Sequence, residues 1–401
     1  MTRIDDHSLV ELDLTLNWAS RNVSHHDGFY VPRLNTWRDL LPDGVMEELM
    51  GRSEGEELAF HFPAGTMIPP REKNLIHQIR PEQFGKTAGN ESPITPRLGR
   101  FYPCGLMTGV PGIYPENILP MRVIDIGEEM ITMDLNHPLA EMDTDLKILI
   151  RAVRHSKRER GGQVHHWGEE VILGGPGMQA PVPGMMIDYG STPVTGQAEE
   201  GGRPFDTGLR SDSRVDKESS RILGEVYREQ VKPGSRILDL MSGARSHLPR
   251  GEEKEVVGLG RDEGDMAENP LLTRRVVHDL NEASGLPFPE NSFDLVLLSH
   301  SMESLRRPEQ VIGEVHRVLQ PGGSFMVGFT DCWFSTEAMP LWMELHPFER
   351  LGWVLSLLSA AGFGDCFTRT YRNRSRPYED PHYSVSAKSD PVLIAGGIKK
   401  G

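Results

Sequence analysis

Four short polar segments in the second half of the chain follow apolar runs, and their side chains suit ligand binding. They are Asp239-Leu-Met-Ser-Gly243, Gly258-Leu-Gly-Arg-Asp262, Asp279-Leu280 and Ser299-His300-Ser301. A strand that ends in an acidic residue and a glycine turn commonly cradles a nucleotide-like ligand, because glycine lets the backbone approach it closely. The spacing predicts such a site here, although only Gly243 remains of the usual two or three glycines in the first turn.

Separate residues are candidates for proton transfer and for substrate contact. His300 is a candidate general base because an unperturbed imidazole titrates near neutral pH, and Asp331 is a second catalytic candidate. The candidate substrate-pocket residues follow two apolar runs, Glu303 after "FDLVLLSH" and Cys332, Trp333, Phe334 and Trp342 after "SFMVGF". Each role has an alternative. His300 could merely hydrogen-bond a ligand or a loop carbonyl, and Cys332 could be an inert buried residue. At least one of the aromatic residues could belong to the core.

Alternating strands and helices are predicted to position these segments. Strands are expected at "SRILDL", "EVVGLG", "FDLVLLSH" and "SFMVGF", with a helix at "PEQVIGEVHRVLQ" between the last two. Near-continuous apolar strands that alternate with helices indicate a parallel α/β sheet covered on both faces, and ligands bind at the carboxyl ends of its strands. We therefore expect a Rossmann-like domain over residues 210–401.

The first part of the chain has a different pattern. Alternating segments such as "SLVELDLTLNW" and "MRVIDIGEEMITMDL" predict an antiparallel sheet, with one short helix at residues 44–51, in an α+β domain over residues 1–155. Clustered glycine and proline then predict a linker over residues 156–209. The chain is therefore expected to contain two domains.

Composition limits the function classes. With 43 basic and 58 acidic residues the net charge is −15, which argues against a nucleic acid or an anionic membrane as the main partner. Three dispersed cysteines predict no disulfide framework and favour the cytoplasm. No metal site is predicted, because the paired histidines lack a third ligand at suitable spacing.

The second part resembles the class I S-adenosylmethionine-dependent methyltransferases of the type-11-like group, over about 210–365. The resemblance rests on "ILDLMSG", "VVGLG", "VVHDLNEASGLPFPENSFDLVL" and "EVHRVLQPGGSFMV". It implies S-adenosylmethionine as cofactor and a methyl acceptor that is a small molecule or a protein. The cofactor-binding residues it implies are Asp239, Met241, Ser242, Gly243, Gly258, Gly260, Asp262, Asp279, Leu280 and Ser299.

This sequence departs from that family at two places. Met241 and Arg245 stand where the family has glycines, and Gly260 stands where it commonly has an acid that holds the ribose hydroxyls, so that Asp262 could substitute. Arg245 could either pair with the cofactor carboxylate or point to solvent. In this group a glycine-poor loop would be another way of closing the same crevice.

The first part resembles the FKBP-type prolyl isomerases of the SlyD-like branch over about 8–153. "LPDGVMEELMGRSEGEELAFHFPAG" and Asn136-His137-Pro138-Leu139-Ala140 carry the resemblance, and an inserted flap would span about 70–125. The tyrosine donor expected between Ala64 and Gly65 is missing, so weak or absent isomerase activity is implied.

Two hypotheses on function follow. The leading one is methyl transfer to a small nucleophile, with a thiol favoured, by the second domain. The alternative is a prolyl isomerase or chaperone whose methyltransferase-like domain is a non-catalytic scaffold. A third possibility joins them, in that the first domain would present a protein for methylation.

Overall fold

The computed structural model describes residues 2–85, 94–155, 161–182, 184–190, 215–250, 254–333 and 338–401. Eleven strands form one continuous mixed sheet, and four short strands form a second sheet. The strands and helices in chain order are β1 (Ser8–Ser20), β2 (Val23–Asn35), α1 (Val45–Leu49), β3 (Glu57–Phe62), β4 (Ile76–Ile79), β5 (Phe101–Pro103), β6 (Pro120–Ile126), β7 (Ile131–Asp134), β8 (Thr144–His155), α2 (Trp167–Ile172), α3 (Lys217–Arg228), β9 (Arg236–Leu240), β10 (Glu255–Gly260), α4 (Glu263–Ala267), β11 (Arg274–Val277), β12 (Phe293–Ser299), α5 (Pro308–Val318), β13 (Leu319–Phe329), α6 (Pro340–Glu344), α7 (Pro347–Ala360), β14 (Phe363–Arg372) and β15 (Val392–Lys399).

The N-terminal part of the large sheet has the order β2-β1-β8-β3, and all of these neighbours pair antiparallel. Alternate residues of β1 are buried, as the sequence pattern predicts, because successive side chains of a strand point to opposite faces. The buried face packs against α1 and α2 in one apolar cluster. A large N-terminal antiparallel sheet is therefore present.

The second sheet lies in the chain between β3 and β8, where an inserted unit was predicted at about 70–125. Its order is β4-β7-β6-β5, and it extends past the predicted end because β7 ends at Asp134. The sheet has an apolar cluster of its own that includes Phe84, Met121, Val123 and Met133.

The C-terminal part of the large sheet has the order β11-β10-β9-β12-β13, with every neighbouring pair parallel. This order reads 3-2-1-4-5 when β9 is counted first, which is the doubly wound Rossmann-like arrangement. Adjacent residues of β9 serve opposite faces, since Ile237 packs in the cluster that contains α3 and Leu238 in the cluster that contains α5 and α7. The predicted sheet covered on both faces is confirmed.

The strand order reverses between β9 and β12, and the candidate site lies at this position. The connection that leaves β9 leads to β10 on one side of it, whereas β12 on its other side is reached from β11. A crevice forms at the carboxyl ends of two such strands, where their connections separate. On the other edge of β13 lies β15, which pairs antiparallel with both β13 and β14.

The two parts of the chain share the large sheet through one parallel pair, β2 with β14. Buried polar groups accompany this pair: His25 Nδ1 lies 2.7 Å from Thr368 Oγ1, and Thr370 donates to Asp27 at 2.8 Å. A second link is the buried ion pair of Arg100 and Glu349, which joins the second sheet to α7 at 3.2 Å. The predicted domain limits 1–155 and 210–401 stay a prediction, but the parts are in extensive contact.

Part of the predicted linker, residues 156–209, is packed. The described residues 161–182 include α2, and Trp167 and Val171 are buried against the N-terminal sheet. Gly175 permits close packing of this segment on α7, because a Cβ atom there would lie 2.3 Å from the Phe348 ring. Residues 161–182 are therefore ordered and packed, and the assignment of 156–209 as a linker stays a prediction.

The apolar segment 338–361 contains α6 and α7, and α7 packs against β14 and β15. It belongs to the layer that covers the sheet, because nearly all of its apolar side chains are buried. Within the described residues, no helix has both the length and the apolar character needed to cross a bilayer.

Candidate active site

A cavity of about 670 Å³ opens at the carboxyl ends of β9 and β12, with α3 as its third wall. We call it the switch-point cavity. It is lined by five of the predicted cofactor-binding residues and by the predicted base, namely Asp239, Met241, Ser242, Gly243, Ser299 and His300. The sheet topology thus brings together residues that lie 60 positions apart in the sequence.

Asp239 organises the loop that follows β9. Its Oδ2 atom accepts hydrogen bonds from the hydroxyls of Ser242 at 2.9 Å and Ser246 at 2.5 Å. Asn269, which is buried, donates to Ser246 Oγ at 2.8 Å and to the Gly243 carbonyl at 3.2 Å. Burial raises the pKa of Asp239 to about 6, against the effect of the two serine hydroxyls. The loop is therefore held by side-chain bonds rather than by glycine turns.

No helix begins in residues 241–250. Parallel strands are usually joined through a helix whose N-terminal amides can bind an anion. The left-handed backbone of Met241, at φ 52°, starts an irregular loop instead, and Pro249 falls within it. An anionic part of a ligand would consequently find side chains at this position rather than a helix N-terminus.

Gly258 and Gly260 have no side chain and so leave room for this loop to pack against β10. A Cβ atom on Gly260 would lie 2.2 Å from the Ser242 carbonyl oxygen, and one on Gly258 would lie 2.5 Å from a Leu272 methyl group. The amide of Ser242 donates to the Leu259 carbonyl at 2.8 Å, which draws the loop onto β10. Both glycines were predicted to bind the cofactor, and the structure places them under the loop rather than in the cavity lining.

Asp262, Asp279 and Leu280 also lie outside the lining of the switch-point cavity. Asp262 is the N-cap of α4 and accepts from the Asp265 amide at 3.0 Å. Asp279 accepts from the Asn281 amide at 2.8 Å, and Leu280 is buried in the core. Their predicted contacts with a cofactor therefore remain predictions.

His300 forms a pair with His247, which sequence reasoning missed. The ring centroids are 5.1 Å apart and the planes are inclined by 69°. Burial lowers the pKa of His300 to about 3 and that of His247 to about 4, and the neighbouring positive charge adds to each effect. Both rings are neutral at pH 7, so His300 is a weaker base than its residue type suggested. Its buried Nε2 atom has no hydrogen-bond partner among the described residues.

Three donor groups lie together at the end of β13, and we call them the carboxyl–thiol cluster. The ligand atoms of Asp331, Cys332 and Asp390 are all within 4.8 Å of one another, and Cys332 Sγ lies 3.6 Å from Asp331 Oδ1. These atoms could hold a metal ion, but the Arg376 guanidinium already donates to Asp390 at 2.8 Å. The prediction of no metal stays a prediction.

The pKa values in this cluster all rise. Burial raises the pKa of Asp390 to about 7, helped by the charge of Asp216, and it also raises the pKa of Asp331 and of the Cys332 thiol. Asp390 was missed because it lies 59 positions beyond Asp331 in the sequence, on the segment that leads into β15.

The remaining predicted pocket residues gather around the buried side chain of Arg350. Its guanidinium lies 4.6 Å from the Trp333 ring centroid and 5.0 Å from that of Trp342, and its Nε donates to the Trp342 carbonyl. Trp342 has no exposed surface and packs on Phe329, so it is a core residue. Glu303 is buried as well. Phe334 lies outside the described residues.

Comparison with known proteins supports the interpretation of this part of the chain. Residues 248–327 match the family model described as "Methyltransferase domain". The chain is 28% identical over 146 residues to the ubiquinone/menaquinone biosynthesis C-methyltransferase UbiE of Cupriavidus metallidurans, a match that covers 32% of this chain and 56% of that protein. UbiE of Burkholderia thailandensis matches with the same identity and coverage.

A solved SAM-dependent methyltransferase from Archaeoglobus fulgidus matches at 16% identity, over 46% of this chain and 96% of that chain, with a TM-score of 0.35. The chain spans about half the length of the curated relatives it matches. Residues 248–327 therefore match a methyltransferase domain.

Proposed function

We propose that the chain transfers a methyl group from S-adenosylmethionine to a small nucleophile, with a thiol favoured, at the switch-point cavity. The observation that carries this proposal is that Asp239, Ser242, Ser299 and His300 meet in one cavity beside the segment that matches the methyltransferase model. Doubly wound sheets bind their ligands at the carboxyl ends of the strands, at the point where the strand order reverses.

The cavity fits the cofactor by size and by chemistry. Its volume of about 670 Å³ lies within the range of roughly 300–1,000 Å³ that is usual for small-molecule sites. The buried His300 Nε2 atom has no partner within the described part of the chain, which is costly unless a ligand hydrogen-bonds it. Ser242, Ser246 and Ser299 add hydroxyl groups. When bound, S-adenosylmethionine supplies an electrophilic methyl group on a sulfonium centre.

The residues of the chain would orient the acceptor and receive its proton. A general base works best when its pKa lies near the working pH, and Asp390 meets this condition better than His300 does. Asp331 and Cys332 lie next to Asp390 in the carboxyl–thiol cluster. We therefore add Asp390 to the predicted catalytic residues His300 and Asp331, with His300 in a hydrogen-bonding role.

Calorimetric titration with S-adenosylmethionine and S-adenosylhomocysteine tests the proposal. We expect both to bind the wild-type chain, and Asp239→Ala to abolish binding because Ser242 and Ser246 lose their shared acceptor. Cys332→Ser is the matched control and should bind as the wild type does. An absence of heat at millimolar ligand would rule out the methyltransferase proposal.

The acceptor class is tested by transfer of a labelled methyl group to a thiol, an alcohol and an amine of similar size. We expect the thiol to be labelled fastest, because a thiol needs only deprotonation to become a strong nucleophile. Labelling of a protein fraction instead would indicate a protein substrate. The three free cysteines, Cys104, Cys332 and Cys366, agree with the cytoplasmic location that we propose.

For the N-terminal part we propose an FKBP-like unit with weak or absent isomerase activity. Support comes from the order of its elements, in which the β1–β2 hairpin, α1, β3, an inserted sheet and β8 follow one another. The apolar face of its sheet is covered by Trp167, Val171, Ile172 and Ala180 of the same chain. A proline-containing tetrapeptide assay should show isomerisation no faster than the uncatalysed rate. Rapid isomerisation would instead favour the alternative function of a folding factor.

A further inference from the structure

A small cavity of about 110 Å³ lies beside the second sheet, and we call it the Arg122 cavity. Its lining comes from β5, β6, the end of β7, the turn at 136–142 and the end of the packed segment 161–182. Its volume is below the roughly 300–1,000 Å³ of a pocket for a whole ligand, but well above the roughly 10–15 Å³ that one water molecule needs. The cavity therefore has room for one functional group of a ligand.

Arg122 places a positive charge at the wall of this cavity. Its guanidinium lies over the Phe101 ring, 4.1 Å from the centroid, because the two residues stand opposite each other in β6 and β5. The Nε and Nη2 atoms of Arg122 are buried, and the residues that the structure describes give them no hydrogen-bond partner. Burial lowers the pKa of Arg122 to about 10, so the side chain keeps its charge at pH 7. A buried charge of this kind is costly, and a ligand group of opposite charge removes the cost.

The carboxylates that act electrostatically on Arg122 are bonded to other arginines. The charge of Glu349 reaches Arg122, but its carboxylate lies 3.2 Å from Arg100 in an ion pair. The charge of Asp134 reaches it as well, but that carboxylate lies 2.7 Å from Arg71. Each carboxylate therefore has a closer cation, and the Arg122 guanidinium stays available to a ligand.

The rest of the lining is mostly apolar. The apolar side chains opposite the charged groups are those of Pro138, Ala140, Ala180 and Val182. Glu141, the second acidic residue of the lining, is exposed and lies 3.7 Å from Arg71 in an ion pair. An apolar wall packs against a hydrocarbon stem, and it strengthens the attraction between opposite charges because it excludes water.

We propose that the Arg122 cavity binds a carboxylate group carried on a short hydrocarbon stem, with Arg122 as its ion-pair partner. The planar guanidinium suits this anion, because it can donate two parallel hydrogen bonds to one carboxylate. An acidic side chain of a bound peptide and a small free carboxylate share this chemistry. The site is separate from the switch-point cavity and does not depend on the proposed methyl transfer.

Ligand-observed NMR of the full chain tests the proposal, with propionate as the probe and propionamide as its neutral counterpart at constant ionic strength. We expect propionate to bind the wild type at millimolar concentration and propionamide not to bind. Arg122→Gln should weaken propionate binding by roughly tenfold or more, as expected for the loss of a charge-assisted hydrogen bond. Arg80→Gln is the matched control, because it removes an exposed arginine directly after β4 in the same sheet, and it should bind propionate as the wild type does.

A second variant, Val182→Phe, narrows the cavity and leaves its charge unchanged. It should also weaken propionate binding, and it tests the site if circular dichroism shows that Arg122→Gln does not fold. Equal binding of propionate and propionamide, binding of neither, or unchanged propionate binding in a folded Arg122→Gln variant would overturn the proposal.

The source of the carboxylate is distinguished with two blocked alanine peptides that carry either glutamate or glutamine at the central position. Tighter binding of the glutamate peptide than of propionate, lost in Arg122→Gln, would identify a peptide side chain as the source. Weaker binding of that peptide than of propionate would identify a small free carboxylate.

Discussion

At the scale of single residues, burial decides the chemistry of the candidate site more than residue type does. Asp239 and Asp390 have pKa values raised to about 6 and about 7, whereas His300 has its pKa lowered to about 3. A buried group favours its neutral form whichever charge it would carry. The histidine that looks like a base from the sequence is therefore a weak one, and a carboxyl group approaches the useful range.

Asp390→Asn should change how stability depends on pH. The folded pKa near 7 lies above the unfolded value of about 3.9, so the folded state binds more protons between these values. The contribution of Asp390 to the free energy of unfolding is then largest at low pH, and it is lost as the pH rises through 7. Because asparagine does not ionise, the variant should gain stability relative to the wild type by about 1 kcal/mol or more between pH 5 and pH 8.

Urea unfolding at four pH values from 5 to 8 measures this difference. Asp43→Asn, at an exposed position, is the control, and its free energy of unfolding should depend on pH as that of the wild type does. A constant difference between Asp390→Asn and the wild type over the whole range would contradict the assignment.

At the scale of elements, two segments with turn-forming composition acquire structure from their surroundings. The loop after β9 is ordered by Asp239 and Asn269, and α2 is ordered by the sheet beneath it. The Trp167 ring donates through Nε1 to Asp39 at 3.2 Å, and its backbone amide donates to the Leu40 carbonyl at 3.0 Å. Neither partner is close in sequence, so glycine and proline content alone is a poor guide to their order.

Trp167→Ala should therefore be strongly destabilising. Removal of a buried aromatic side chain costs roughly 3–5 kcal/mol of unfolding free energy, whereas a linker residue would cost little. Leu173→Ala, at an exposed side chain at the end of the same helix, is the control. Unfolding followed in urea measures both, and a change below about 1 kcal/mol for Trp167→Ala would show that α2 is not packed as described.

At the scale of the whole molecule, one sheet and a few buried polar links join the two parts. The β2 and β14 strands pair over Val23–Phe29 and Cys366–Arg372. Glu349 accepts from both Arg100 and the Phe101 amide, and all three groups are buried. The C-terminal part is consequently coupled to the N-terminal part by strand pairing and by buried polar contacts.

Glu349→Ala tests this coupling. The change leaves the Arg100 guanidinium buried without its carboxylate, which costs roughly 3–5 kcal/mol in comparable pairs. Glu344→Ala is the control because that exposed side chain lies at the end of the preceding helix α6, and its backbone carbonyl accepts from Arg100. We expect calorimetry to show a clearly lower unfolding temperature for Glu349→Ala and almost no change for Glu344→Ala. Equal shifts would mean that the ion pair does not join the parts.

Much of the architecture could be predicted from local pattern. The alternation in β1, the apolar runs of β9, β10, β12 and β13, and the helix α5 all follow from side-chain periodicity, which acts within a few residues. Strand ends in a parallel sheet meet at one edge, so the approach of Asp239 to Ser299 and His300 was also predictable. Among the basic residues that line the cavity, only Arg245 is a candidate for cofactor contact from the sequence, because the others have no periodic signal.

The sequence by itself determined the element types, the Rossmann-like order and the edge of the sheet that carries the site, because these depend on short-range periodicity and strand direction. Only the tertiary structure decided that Gly258 and Gly260 lie under a loop, that Asp390 joins Asp331 and Cys332, that His300 pairs with His247, and that residues 161–182 are packed between the two parts. Those outcomes depend on burial and on contacts between residues far apart in the chain. Such contacts set the pKa values and the charge of the cavity, and no local pattern encodes them.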